Sequence, residues 1–118
     1  MHSQLYLSGR LAADPEFSQT KKGNLIVKLL LETQFVRETT QGNFQSETVI
    51  LPINFFSREA EAVRNCQRGD ALTVGCHLYG TEFRTPEGIA KRSTQIVADQ
   101  VLQVVARQKE AYDGLRTR

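Results

Sequence analysis

The sequence predicts an all-β fold in which five strands close a barrel, with one short helix between the third and the fourth. Three observations predict it. Apolar and polar residues alternate in several separate runs, polar segments bearing glycine divide those runs, and helical spacing occurs in a single short stretch.

Leu5, Leu7, Gly9 and Leu11 alternate with Gln4, Tyr6, Ser8 and Arg10, which gives a first strand over about residues 3 to 11 with one buried face. Asp14-Pro15-Glu16 breaks it, and Lys21-Lys22-Gly23-Asn24 supplies turn chemistry. A long second strand runs from Leu25 to about Val36. The polar segment Thr39 to Asn43 then loops to a third strand at about Ser46 to Phe56. Ser57 is a capping residue type, and Glu59 to Arg64 follows as one short helix with acidic residues in its first turn. After Gly69, the alternation of Leu72, Val74, Cys76 and Leu78 gives a fourth strand. Pro86-Glu87-Gly88 turns the chain into a fifth, Ile89 to about Val105. This strand count and helix placement are those of an OB-fold, a partly open Greek-key barrel.

A chain of 118 residues with 15 Lys plus Arg and 13 Asp plus Glu carries a formal charge of +2. One domain is expected, over residues 1–105, followed by a short basic C-terminal extension, residues 106–118. The charge is too small to announce a nucleic-acid partner, because phosphate is held by local stripes of cations and not by the total. The longest apolar stretches, Leu25 to Leu31 and Val49 to Phe56, fall far short of a membrane span, so no membrane association is expected. The N-terminus shows no basic segment followed by an apolar one, and a cytoplasmic location follows as the expectation. Cys66 and Cys76 are too few for a disulfide framework and read as small buried residues.

Catalytic motifs are missing from the sequence. His2 and His77 are the only imidazoles, and there is no nucleophile elbow, phosphate-binding glycine loop or H-E-x-x-H pair, so no enzymatic activity is expected. The separation of Cys66 from Cys76 fits no common zinc module, and neither metal nor cofactor is expected.

The aromatic residues say more. Along the third strand Val49, Leu51, Ile53 and Phe55 share one face, while Ile50, Pro52, Asn54 and Phe56 share the wetter one, so Phe56 points outward. An outward aromatic suits base stacking, or equally a subunit interface or the underside of a loop. Phe35 ends the second strand and Phe83 lies just beyond the fourth; each singly suits a plug at the barrel end, but with Phe56 they can form one continuous surface. Cations neighbour all three: Lys28 and Arg37 flank Phe35, Arg58 follows Phe56, Arg84 follows Phe83, and Lys91-Arg92 begins the returning strand. Such interleaving is what a groove for single-stranded nucleic acid requires, although Glu38, Glu59, Glu82 and Glu87 lie as near in sequence.

Over about residues 4 to 104 the chain resembles the bacterial single-stranded DNA-binding protein (SSB) family. Gly9-Arg10-Leu11-Ala12-Ala13-Asp14-Pro15-Glu16 is similar to that family's G-x-L-x-x-D-P-E signature. Val27 to Leu31 leading to Phe35, Phe55-Phe56-Ser57-Arg58-Glu59-Ala60-Glu61, Arg68-Gly69-Asp70 and Thr94 to Ala98 resemble later segments in the same order. The resemblance implies an OB-fold that binds single-stranded DNA without strong sequence preference, as a homodimer or homotetramer, in replication, recombination or repair. It implies base stacking on Phe35, Phe56 and Phe83, with Arg37, Arg58 and Arg68 meeting phosphates. The departures are Ile50, where the family commonly has an aromatic, and Tyr79 to Glu82, where it has basic residues; they imply weaker binding than is typical. The chain ends Gly114-Leu115-Arg116-Thr117-Arg118, without the family's acidic tip, so recruitment of replication enzymes by that route is not expected. A divergent member, from a mobile element or akin to primosomal protein B in replication restart, fits these departures. The rival reading is an OB-fold used for protein contacts, its aromatics covered by a partner.

Overall fold

The computed structural model describes residues 4–107, and both Met1 to Ser3 and the body of the expected basic extension lie outside the described residues. The elements, in order, are β1 (Leu5–Leu11), β2 (Glu16–Gln19), β3 (Leu25–Glu38), β4 (Phe44–Phe56), α1 (Ser57–Ala62), β5 (Ala71–Arg84) and β6 (Ala90–Val105). The sheet runs β1-β5-β6-β4-β3-β2, and a further pairing of β1 with β3 closes five of the six strands into a barrel. Inside it, Leu11, Val27, Leu29, Leu31, Ile53, Phe55, Leu72, Val74 and Cys76 are buried. These are the alternate residues of their strands, as period-two patterning requires.

Closure happens at one crossing. β1 pairs with β5 from Leu5 to Arg10, and at Arg10 and Leu11 it also pairs with β3, opposite Glu32 and Leu31. Gly9 lies at the crossing: a Cβ built there would stand 2.1 Å from the Glu32 carbonyl oxygen and 3.2 Å from Leu31 Cγ. Only a residue without a side chain lets the two backbones approach this closely. The end of β1 is then tied down by Leu11 N–H to the Asp70 carbonyl at 2.9 Å and Gly69 N–H to the Leu11 carbonyl at 2.9 Å.

The fourth barrel contact is sparse. β4 and β6 pair in parallel only at Ile53 with Ile96 and Asn54 with Val97. On the N-terminal side of that contact both strands leave the barrel, each inside its own hairpin: β3 with β4, and β5 with β6. Two long two-stranded arms result, and most of their residues beyond Thr33 and Leu78 are exposed. Isolated ribbons of this kind are marginal in water, so their turns matter. All three hairpin turns, Thr20 to Asn24, Thr39 to Asn43 and Thr85 to Ile89, use the same chemistry. The glycine N–H of each (Gly23, Gly42, Gly88) donates to the carbonyl of the leading threonine, and the threonine hydroxyl accepts the N–H four residues on. The three glycines have φ of 87°, 79° and 84°, the left-handed conformation that a type I turn with a glycine bulge demands.

Two expectations need correction. The edge strand β2 was not anticipated, because its four residues Glu16, Phe17, Ser18 and Gln19 are all exposed and carry no alternation of burial. Ser57 does not cap the helix: Phe56 occupies the N-cap position, no side-chain cap forms, and the helix spans Ser57–Ala62, ending before Arg64. Ala60, Val63 and Cys66, three residues apart, seal this end of the core. Pro52 falls where β4 has β3 as its single neighbour, so its missing N–H breaks no ladder on the other side. β6 bulges twice, gaining Leu102 and Asp99 relative to β5, which bends it around the barrel beside Gly75.

Burial, and secondarily the charge of Asp99, pushes the Cys76 thiol up to about 11. In the unfolded chain the same thiol titrates near 9.0, so between these values the folded state holds a proton that the unfolded state has released. The stability contributed by the neutral thiol is therefore complete below pH 9 and lost as pH rises through 11. Urea midpoints measured from pH 9 to pH 11 should fall, and less steeply in Cys76→Ala. At the closure, Gly9→Ala should cost about 3 kcal/mol, read as a melting temperature lowered by roughly 10 °C. An unchanged melt would show that the crossing tolerates a side chain.

Candidate nucleic-acid interface

The strand register assigns each predicted residue to a face. β3 and β4 pair without interruption from Ile26 opposite Phe56 to Glu38 opposite Phe44, so side-chain phase is conserved along the whole arm. Phe55 and Val27 point to the core, and Phe56, Asn54, Pro52 and Ile50, with Lys28 opposite Asn54, point away from it. Asn54 pairs with Val97, Val97 with His77, and β5 carries this outward phase unbroken to Tyr79 and Phe83. Phe56, on the barrel wall where β4 meets the helix, and Phe83, on the β5–β6 arm, thus share one outward phase, and both are half-exposed.

Between the arms, where β4 and β6 diverge, lies a cleft of about 380 Å³ lined by Lys28, Pro52, Asn54, Leu78, Gln95 and Ile96, among others. Asn54 Nδ2 donates to Gln95 Oε1 at 3.3 Å across its floor. Tyr79 lies opposite Gln95 and Phe83 opposite Lys91, with the Thr81–Ser93 pair between them, so this face carries two aromatic rings and one lysine along the arm. Tyr79 is 52% exposed. It was read in the sequence only as a missing cation, yet its phase, four residues before Phe83, was enough to find it.

Not all the predicted residues join this surface. Phe35 pairs with Glu47 in the core-facing phase, and is therefore on the opposite side of its arm from Phe56. Arg37 shares that side, with its Nε 2.6 Å from Glu47 Oε1. The expected single surface for three phenylalanines becomes two faces. Arg84 and Arg92 likewise lie on the reverse of the β5–β6 arm: Arg84 Nη1 donates to the Gly88 carbonyl at 3.2 Å, and Arg92 stands opposite Glu82. Arg58 follows Phe56 directly on α1 with its side chain 91% exposed, 3.5 Å from Glu59, and Arg68 lies at the helix end. Lys28 and Lys91 are the two predicted cations that share strand phase with Phe56 and Phe83.

The junction that presents Phe56 is strained. Phe56 is extended, with φ −120° and ψ 144°, and Ser57 turns the chain at φ 52°, a left-handed conformation unusual for serine. Holding a side chain there costs about 1–2 kcal/mol, partly offset by the backbone entropy that glycine would lose. His77 Nδ1 and Asp99 Oδ1 lie 2.7 Å apart on the outward side, and among the described residues no three His, Cys, Asp or Glu side chains converge into a metal site. No helix of the described residues is long and apolar enough to cross a membrane.

A five-stranded barrel capped by one helix, with two long ribbon arms extending it, defines the chain as an OB-fold protein. Residues 2–104 match the Single-strand binding protein family, and the chain belongs to it. Among curated relatives, a single-stranded DNA-binding protein of Xanthomonas campestris is 29% identical over 100 residues, covering 84% of this chain and 58% of its own length. Single-stranded DNA-binding protein B of Bacillus subtilis is 25% identical over 101 residues, covering 86% and 88%. The chain spans little more than half the length of the Xanthomonas relatives. Two solved structures share the fold. A deletion variant of the Thermus aquaticus single-stranded DNA-binding protein superposes with TM-score 0.74 at 22% identity, over 85% of this chain and 50% of that one. A Plasmodium falciparum SSB in complex with single-stranded DNA gives 0.68 at 17%, over 87% and 96%.

Ser57→Gly should relieve the strain at the junction and raise stability by about 0.5–1 kcal/mol, seen as a melting temperature a few degrees higher. A lower melting temperature would mean that the serine side chain makes a compensating contact.

Proposed function

We propose that the chain binds single-stranded DNA along one outward face, the arm face, which runs from Phe56 and Lys28 on the barrel wall onto the two arms, without strong sequence preference and without catalysis. The supporting observation is the shared strand phase of Phe56, Tyr79 and Phe83 with Lys28 and Lys91. Exposed rings offer π-faces to any base, each stacked base contributing about 1–3 kcal/mol, and the lysines follow the phosphates. The cleft between the arms, with Asn54 and Gln95 on its floor, gives the strand a concave path from one arm to the other. Neutral stacking explains how a chain of net charge +2 can serve this purpose. Arg58 contacts the backbone beside Phe56. Phe35 and Arg37, on the reverse of the β3–β4 arm, meet a segment of strand that has passed around it. The family supports a homodimer or homotetramer and a role in replication, recombination or repair, carried out in the cytoplasm.

Anisotropy titration of a labelled oligo-dT tests this reading. Phe56→Ala and Phe83→Ala should each weaken binding about tenfold, and log affinity should fall linearly with log salt. Equal binding by the wild type and the double variant would sink the stacking face, and no binding by the wild type would favour a protein-contact module.

A further inference from the structure

At the helix end of the barrel, away from the arms, the segment after α1 and the edge strand β2 enclose a second concavity of about 620 Å³. Three arginines line it, Arg64, Arg68 and Arg107, against one carboxylate, Asp14. That carboxylate is already engaged, since Oδ1 accepts the backbone N–H of Arg68 at 2.9 Å. Arg64 reaches Glu61 only at 3.5 Å with both side chains exposed, and such a pair holds its arginine weakly. Arg107 is fixed at its root: its N–H donates to Asp70 Oδ1 at 3.0 Å, and its stem lies over Gly69, where a Cβ would come within 3.0 Å of Arg107 Cδ. Cations brought together in this way, with few partners among the described residues, suit a phosphate.

The fourth part of the cleft is an aromatic. Phe17 lines it and is 55% exposed, on a strand that contributes nothing to the core. Packing does not account for a phenylalanine on a four-residue polar edge strand, whereas stacking does. Its position relative to the arm face is fixed by register. Ser18 pairs with Ile26 and Ile26 with Phe56, while Phe17 pairs with Val27 in the opposite phase. Phe17 therefore stands two strands, about 10 Å, from the Phe56 backbone, on the other side of the sheet. A strand passing from one to the other crosses β3 and then the free edge of β2.

We propose that this cleft is a second nucleotide subsite, occupied by the continuation of a single strand already stacked on Phe56. The strand rounds the β2 edge, one base stacks on Phe17, and the adjoining phosphate sits among Arg64, Arg68 and Arg107. This rests on the single-stranded DNA reading of the arm face and extends it to a part of the chain that the arms do not include. A short oligonucleotide occupies the arm face alone, whereas a longer one engages both.

Labelled oligo-dT of increasing length, titrated into wild type, Phe17→Ala and the Arg64→Ala/Arg107→Ala double variant, tests the subsite. Short oligomers should bind all three proteins alike. Beyond a threshold length the wild type should gain about tenfold in affinity, and the variants should not. The double variant should also lose about 1.4 from the slope of log affinity against log salt for long oligomers. Because the chain has no tryptophan, Phe17→Trp supplies a single emission signal, which long oligomers should quench and short ones should leave unchanged. Identical length dependence in all proteins, with an unquenched Trp, overturns the subsite and leaves the arm face standing. Failure of the wild type to bind at any length overturns the underlying reading instead.

Discussion

The barrel depends on one close approach, the backbone of β1 against that of β3 at Gly9. Without it, β1 would remain an appendage of β5, and the sheet would be open between its two halves. The closure determines more than the core. It fixes which residues of β3 and β5 face inward, and through uninterrupted register it fixes the outward phase of every residue on the arms. The Asp14 carboxylate on the Arg68 N–H and the Asp70 carboxylate on the N–H groups of Gln67 and Arg107 extend the same brace to the helix end. The stretch from Gly9 to Asp14 therefore works as one device. The glycine admits the crossing, and the aspartate anchors the chain just beyond it.

The arms obey a different logic. Past Leu31 and Cys76 there is no core left to bury, and two-stranded ribbons gain little from packing. Their two turns, like the one between β2 and β3, use the same hydrogen bonds between a leading threonine, a left-handed glycine three residues on and the residue after it. With both faces free of the core, each arm can display aromatic side chains on either side. Exposed rings such as Phe83 and Phe44 would be a liability on a barrel wall, but here they project on a ribbon that a ligand can surround. The strained Ser57, the first residue of α1, stands directly after Phe56 at the end of β4.

Much of this was legible in the sequence. The alternation of Leu5 to Leu11, Val49 to Phe55 and Leu72 to Cys76 named the core-facing residues, and the buried Cys66 and Cys76 followed from their number and surroundings. Phase alone placed Phe56 outward. What was not legible has physical causes. β2 has no buried residue and is held by pairing with β3, so no pattern announces it. Phe35 was grouped with Phe56 by its position near a strand end, although parity across an uninterrupted ladder puts it on the reverse side. The Arg37 pairing with Glu47 and the gathering of Arg64, Arg68 and Arg107 are contacts between distant segments, beyond the reach of local spacing.

The thirteen consecutive pairs of β3 with β4 have a consequence for how such a chain can vary over generations. A ladder with period two behaves as a reading frame. Loss or gain of a single residue in β4 between Phe44 and Phe55, unless answered by a bulge, would exchange the roles of Phe55 and Phe56, sending one ring out of the core and the other into it. Substitution within this arm is therefore tolerable while a change of length is not, and the tip from Thr39 to Asn43 is where lineages can lengthen or shorten without losing frame.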